Sequence, residues 1–126
     1  MNKTTIIALA TNGHKGAEDT VSNVFGKTKT FTIVNVENNK IKSVKTIDNP
    51  AAAYIQGSGP IAAKTLADLK VNLVIASQMG PGASKLLEHH KITTIIVDPN
   101  IAVVESLKRL LPELGKESAQ RNLNKS

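Results

Sequence analysis

Hydrophobic and polar positions along this chain follow two regimes that meet near residue 48. Thr5 to Ala10 is an almost unbroken apolar run too short for a helix, and it predicts a buried strand. Asn12-Gly13-His14-Lys15-Gly16 breaks the run, and the polar stretch to Asn23 reads as a long loop. Thr30 to Val36 alternates, with Thr30, Thr32, Val34 and Val36 on one face and Phe31, Ile33 and Asn35 on the other, as a strand rich in β-branched residues does. Glu37-Asn38-Asn39-Lys40 is a hairpin turn, and the return strand runs from Ile41 to about Ile47.

Beyond this point helix and strand patterns alternate, and they do so as a repeat. Gly59-Pro60-Ile61-Ala62-Ala63-Lys64 aligns with Gly80-Pro81-Gly82-Ala83-Ser84-Lys85 at a spacing of 21 residues. Asp48 to Gln56 is a connecting segment with room for a short helical stretch. Pro60 suits the first helical position, where its missing N–H costs nothing, and Ala62, Thr65, Leu66 and Leu69 make a buried stripe ending near Lys70. Val71 to Ala76 is apolar on both faces apart from Asn72, as central parallel strands are. In the second unit Ala83, Leu86 and Leu87 face inward and Ile92 to Val97 is the strand. Asp98 or Asn100 is expected to cap a last helix whose stripe is Ile101, Val104, Leu107, Leu110, Leu111 and Leu114, with Pro112 ending or kinking it.

The order β-β-β-α-β-α-β-α requires right-handed crossovers between parallel strands and predicts a five-stranded mixed sheet with helices on both faces. The first strand is placed centrally, the hairpin at one edge and the repeat units on the other side. Residues 1–114 are expected to form one α/β domain, and the polar stretch 115–126 a disordered tail.

Composition narrows the chemistry. Only Phe25, Phe31 and Tyr54 are aromatic, so the core must be aliphatic. The chain has no cysteine, which excludes disulfides, thiolate catalysis and cysteine-ligated metal centres within it. The opening apolar run is too short to span a bilayer, and a cytoplasmic location with no membrane partner is expected. Sixteen basic residues against ten acidic ones give a formal charge of +6, with only two arginines to make bidentate phosphate or base contacts. A lysine-rich solvated surface is the plainer reading, and weak nucleic-acid binding the alternative.

Ligands of open α/β sheets bind beyond the carboxyl ends of the parallel strands. There the loop from Thr11 to Gly16, the turn Gly57-Ser58-Gly59 and the segment Ser77-Gln78-Met79-Gly80-Pro81-Gly82 are expected to converge. Glycine turns at helix starts leave N–H groups free to meet an anion. The candidate binding residues are therefore His14, Gly57, Ser58, Gly59, Ser77, Gln78, Gly80 and Gly82, with charge from Lys15 or Lys27. Neither turn matches a dinucleotide fingerprint or a phosphate loop. No pair of carboxylates has acid–base spacing, and no catalytic residue is assigned. His89 and His90 suit a helix C-terminus.

Ser22-Asn23-Val24-Phe25-Gly26-Lys27 followed by Phe31-Thr32-Ile33, then Asn49-Pro50 with Gly57-Ser58-Gly59, then Val74-Ile75 leading to Gly80-Pro81-Gly82-Ala83, resemble in order and spacing the dinitrogenase iron–molybdenum cofactor biosynthesis family. That family comprises NifX-like and NifB C-terminal-like domains and small archaeal relatives. The resemblance covers about Ile6 to Leu111. It implies a three-layer RNase H-like α/β fold, and for some members binding or carriage of an iron–molybdenum cofactor or iron–sulfur precursor. The histidine of the family's His-Phe-Gly motif, a candidate cluster contact, corresponds to Val24 here. The fold also brings nucleases to mind, but the first strand carries no acid for two-metal cleavage.

The leading expectation is a non-enzymatic binding or carrier domain for a small anion, by resemblance an iron–sulfur or iron–molybdenum cluster or precursor handed between partner proteins of cofactor assembly. Two alternatives stand beside it. One is a nucleic-acid or protein-interaction module using Lys27, Lys29, Lys40, Lys42 and Lys45; the other is an enzyme on a small phosphorylated substrate using His14. A monomer or a homodimer is compatible with the sequence.

Overall fold

A computed structural model describes residues 4–112. The strands are β1 (Thr4–Thr11), β2 (Thr30–Glu37), β3 (Lys40–Asp48), β4 (Leu73–Ala76) and β5 (Thr93–Ile96). The helices are α1 (Ser58–Asp68), α2 (Pro81–His89) and α3, helical over 103–112, with a single 3-10 turn at Gly16–Glu18. Sheet order is β3-β2-β1-β4-β5, with β1, β4 and β5 parallel and the β2–β3 hairpin antiparallel at one edge. This is the expected mixed five-stranded sheet with β1 at its centre.

Alternation along β1 and β2 builds two cores. Ala8, Ala10, Phe31 and Ile33 face α1 and α2 and pack with Ala62, Ala63, Leu66, Ala83 and Leu87. Ile7, Leu9, Val34 and Val36 face the other way, onto Val103, Leu107 and Leu110 of α3. Burying a single leucine or isoleucine stabilises the fold by roughly 1.5–3 kcal/mol, so the two layers jointly fix the register of β1.

The 21-residue repeat extends into three dimensions. At the end of α1 the Val71 N–H reaches the Leu66 carbonyl and the Lys70 N–H the Ala67 carbonyl; at the end of α2 Ile92 reaches Leu87 and Lys91 reaches Glu88. Both helices thus close with the same paired-bond terminus, and its left-handed residue is a lysine each time, Lys70 at φ 62° and Lys91 at φ 61°.

Some boundaries differ from the sequence reading. Helix α1 starts at Ser58 after Gly57, so Pro60 is its third residue; the first intrahelical bond comes from the Ile61 N–H to Gly57, and proline's missing donor still costs nothing. Leu69 is exposed, while Ala63 takes a place in the buried stripe. Asp48 closes β3, and residues 49–56 form turns rather than a helix.

The last helix differs most. Neither Asp98 nor Asn100 caps it. Asn100 adopts φ 66° and donates its N–H to Val21, Ala102 bridges Thr20, and the Val103 N–H bonds the Asp19 carbonyl. Pairing with residues 19–21 keeps 100–102 out of the helix, so it begins at 103 with Val103, Ser106, Leu107 and Leu110 inward and Val104 exposed. Pro112 is still helical where the described residues end. Leu114 and the tail 115–126 lie outside them.

Candidate functional site

Both repeat helices open on the same rim. Helix α1 follows Gly57, which sits at φ 75° in the left-handed region where a Cβ is unfavourable, and α2 follows Gly80. Neither start has a side-chain cap. The first intrahelical bonds are made by the N–H groups of Ile61 and Ser84. The N–H groups of Ser58 and Gly59 in α1, and of Gly82 and Ala83 in α2, therefore precede the helical ladder, and the positive ends of two helix dipoles lie side by side.

Small residues permit this closeness. A Cβ on Gly82 would lie 3.2 Å from Pro60, and one on Gly59 would lie 3.4 Å from the Ala83 methyl. The third wall comes from the loop between β1 and β2. A Cβ on Gly26 would stand 2.5 Å from the Gly59 nitrogen and 2.8 Å from its Cα, so Gly26 is the residue that lets this loop touch the first turn of α1.

Buried Asn49 holds the loop there. Its Nδ2 donates to the carbonyls of Gly26 and Thr28, both at 2.9 Å, and its Oδ1 accepts the Ala51 N–H at 2.9 Å. Phe25 anchors the same loop in the core against Phe31, ring centroids 5.5 Å apart. On the far side Ser77 Oγ donates to the Ser22 carbonyl at 2.8 Å and ties the end of β4 to the loop.

Two adjoining cavities result. One, of about 580 Å³, is lined by Val24, Phe25, Gly26, Gly59, Ser77, Gln78, Met79, Gly80 and Ile96. The other, of about 370 Å³, is lined by residues including Lys27, Gly57, Ser58, Gly59, Gly80, Gly82 and Ala83. Val24, Gly26, Gly59 and Gly80 belong to both. Seven of the eight residues singled out from the sequence, namely Gly57, Ser58, Gly59, Ser77, Gln78, Gly80 and Gly82, are thereby brought together.

His14 is elsewhere. Its Nε2 lies 2.6 Å from Asp48 Oδ1 in an exposed pair at the end of the hairpin, and it lines neither cavity. The chain doubles back after β1: Asn12 N–H bonds the Thr20 carbonyl, Thr11 bridges Val21 and the Ser22 N–H reaches Ala10. Buried Asp19 fixes that fold by accepting the N–H groups of Lys15 and Thr20. Residue Ser22, rather than the expected 11–16 segment, is what meets the end of β4. Gly26 and Ile96 are rim residues that glycine turns at helix starts do not announce, while Val24 stands where the family resemblance put a contact and Met79 lies within the segment expected to converge.

The rim thus combines N–H donors, small polar groups and one exposed lysine with an apolar, thioether-bearing wall. Among the described residues no group of three or more His, Asp or Glu side chains is placed to hold a metal ion. No helix among them is long and apolar enough to cross a membrane.

Comparison with known proteins agrees with this architecture. An uncharacterized protein of Methanocaldococcus jannaschii is 32% identical over 79 residues, 59% of this chain and 67% of that protein. The apo form of the orange protein from Desulfovibrio gigas superposes with a TM-score of 0.77 at 24% identity, covering 86% of this chain and 88% of that one. A Thermotoga protein provisionally assigned to NifB gives 0.66 at 22% identity, covering 88% and 90%. These structural likenesses concern the fold. The family model for dinitrogenase iron–molybdenum cofactor proteins matches residues 3–113, and the chain belongs to that family.

Proposed function

We propose that the protein is a non-enzymatic binding or carrier domain whose rim takes an anionic metal–sulfur cluster, or a precursor of one, as cargo for transfer during cofactor assembly. The observation that carries this reading is the pair of uncapped helix starts, at Gly57-Ser58 and Gly80-Pro81, opening together on one cavity in a member of this family.

The residues present do not suit direct ligation. The chain has no cysteine, and the family resemblance puts Val24 where a histidine would stand. Among the cavity-lining side chains the only sulfur is the Met79 thioether. A cluster carrying its own sulfide ligands matches the lining better. Its outer sulfur atoms would accept hydrogen bonds from the N–H groups of Ser58, Gly59, Gly82 and Ala83, while Gln78 and Lys27 supply polar and cationic contacts. Val24, Phe25, Met79 and Ile96 would cover its less polar flank. The lining includes no paired carboxylates and no histidine for acid–base work, which favours binding over catalysis.

The test is anaerobic reconstitution of the purified chain with iron, sulfide and molybdate, followed by desalting and metal analysis. Stoichiometric retention is expected, lost when Gly59 and Gly82 are both replaced by proline to remove their N–H groups. Retention no better than that of an unrelated protein of similar basic charge overturns the reading.

A further inference from the structure

The outer edge of β3 is the most distinctive surface that the rim leaves unused. Strand β3 is nine residues long, pairs with β2 on one side, and pairs with nothing on the other among the described residues. Its register with β2 sorts its side chains by face. Lys40, Ser43 and Lys45 lie opposite Glu37, Asn35 and Ile33, on the side of the sheet that carries α1 and α2. Ile41 and Val44 lie opposite Val36 and Val34, on the side of α3, and both are exposed at 43% and 37%. Lys42 sits where the register shifts, opposite the step from Asn35 to Val36. The edge therefore presents free backbone groups along its length, with Lys40, Ser43, Lys45 and the partly buried Ile47 toward one face, and Ile41, Val44 and Thr46 toward the other, where the Gly16–Glu18 turn flanks Val44.

We infer that this edge docks an extended acidic segment of a partner protein, which adds as a sixth strand along Ser43 to Ile47, beyond the irregular step. An incoming strand whose residues alternate between acidic and apolar matches both faces at once: its carboxylates meet Lys45 and the flanking Lys42, and its apolar side chains continue the Val34–Val44 row. Backbone pairing supplies affinity and the alternating side chains supply selectivity. Lysines on an edge strand disfavour pairing between identical strands, so a second copy of this chain is the wrong occupant. The apolar face and the absence of aromatic or arginine side chains on β3 separate this surface from one that grips nucleic acid through stacking and bidentate contacts.

The experiment uses the full chain and a short capped peptide alternating glutamate with valine, compared with the same peptide carrying glutamine in place of glutamate and with a thymidine oligonucleotide. The glutamate peptide is expected to bind and to protect alternate backbone amides of residues 43–47 from hydrogen exchange. The double variant Lys42→Glu, Lys45→Glu, altered only at exposed positions, is expected to bind it about tenfold more weakly and to prefer a lysine peptide. Equal binding of the glutamine peptide, or protection confined to residues outside β3, overturns the inference. So does an oligonucleotide that outcompetes the glutamate peptide for the same lysines.

Discussion

Replacing Gly26 by alanine tests whether the rim is built on backbone contact. The new methyl carbon would lie 2.5 Å from the Gly59 nitrogen, 2.8 Å from the Gly59 Cα and 2.8 Å from Ser58 Oγ. Two of these three neighbours are main-chain atoms in the first turn of α1, which cannot swing aside as a flexible side chain can. Ordinary contact begins near 3.4 Å, so loop and helix must part by about 0.9 Å. The helix is held by buried Ala62, Ala63 and Leu66, and the loop by Phe25 and the two Asn49 bonds. Overpacking of this kind costs about 1–3 kcal/mol, and the gain from a stiffer unfolded chain returns about 0.4–1 kcal/mol of it. The net loss of about 1–2 kcal/mol corresponds to a fall in Tm of roughly 4–8 °C for a domain of this size. Differential scanning calorimetry of Gly26→Ala beside Gly80→Ala makes the comparison sharp. At Gly80 the backbone is extended, with φ −73°, and nothing lies within 4 Å of a new Cβ, so its Tm should hold or rise slightly. A Gly26→Ala protein as stable as the parent would refute the close contact and, with it, the position of the 24–28 loop.

The paired lysine termini make a second test: Lys70→Gly and Lys91→Gly should each raise stability, by about 0.5–1 kcal/mol in urea unfolding, because glycine adopts φ near 60° without the Cβ penalty. Gly57→Ala should lose about 1 kcal/mol and Gly57→Asn less, since open space around Gly57 leaves backbone strain as the sole cause. Asn49→Ala should cost about 2–4 kcal/mol by the same measurement, because two carbonyls and one N–H lose their partner in a buried setting. Val24→His, at a position 40% exposed, should keep the parent Tm and increase metal retained after anaerobic reconstitution; unchanged retention would argue against a cluster next to Val24.

The parts of this fold that could be read in the sequence are those decided by local pattern. Apolar runs marked β1, β4 and, with two threonines in it, β5, alternation marked the hairpin, and the 21-residue spacing set two helices on equivalent loops, which is why seven of eight chosen residues meet at one rim. What escaped was decided by partners distant in sequence. The start of α3 depends on residues 100–102 pairing with 19–21, some 80 positions earlier, and its inward stripe contains Ser106, whose polarity hides the phase that Val103, Leu107 and Leu110 follow. The position of His14 depends on buried Asp19 folding the loop back on itself, although aspartate in a polar loop looks like a surface residue. Gly26 sits in the Phe25–Thr28 turn without a positive φ, and only the approach of Gly59, thirty-three positions later, explains why no side chain fits there.

On the proposed reading, the loss of coordinating side chains serves transfer. A cluster bound through a cysteine or histidine must break a metal–ligand bond to leave, and the acceptor must supply a replacement in the same step. Held by N–H groups, it departs when weaker contacts open together. Charge-assisted hydrogen bonds contribute about 1.5–3 kcal/mol each, so four amount to about 6–12 kcal/mol before the loss of translational and rotational freedom is subtracted. Once that loss, about 4 kcal/mol or more, is subtracted, the four bonds alone hold the cluster no more tightly than about micromolar, and the other polar and apolar contacts of the lining must supply the rest of its retention. The geometry adds a second condition. Because the four donors belong to two different helices, a separation of α1 from α2 by a fraction of an ångström would weaken all of the bonds that bridge them. A partner that pries at this seam would therefore speed release without touching the cluster itself.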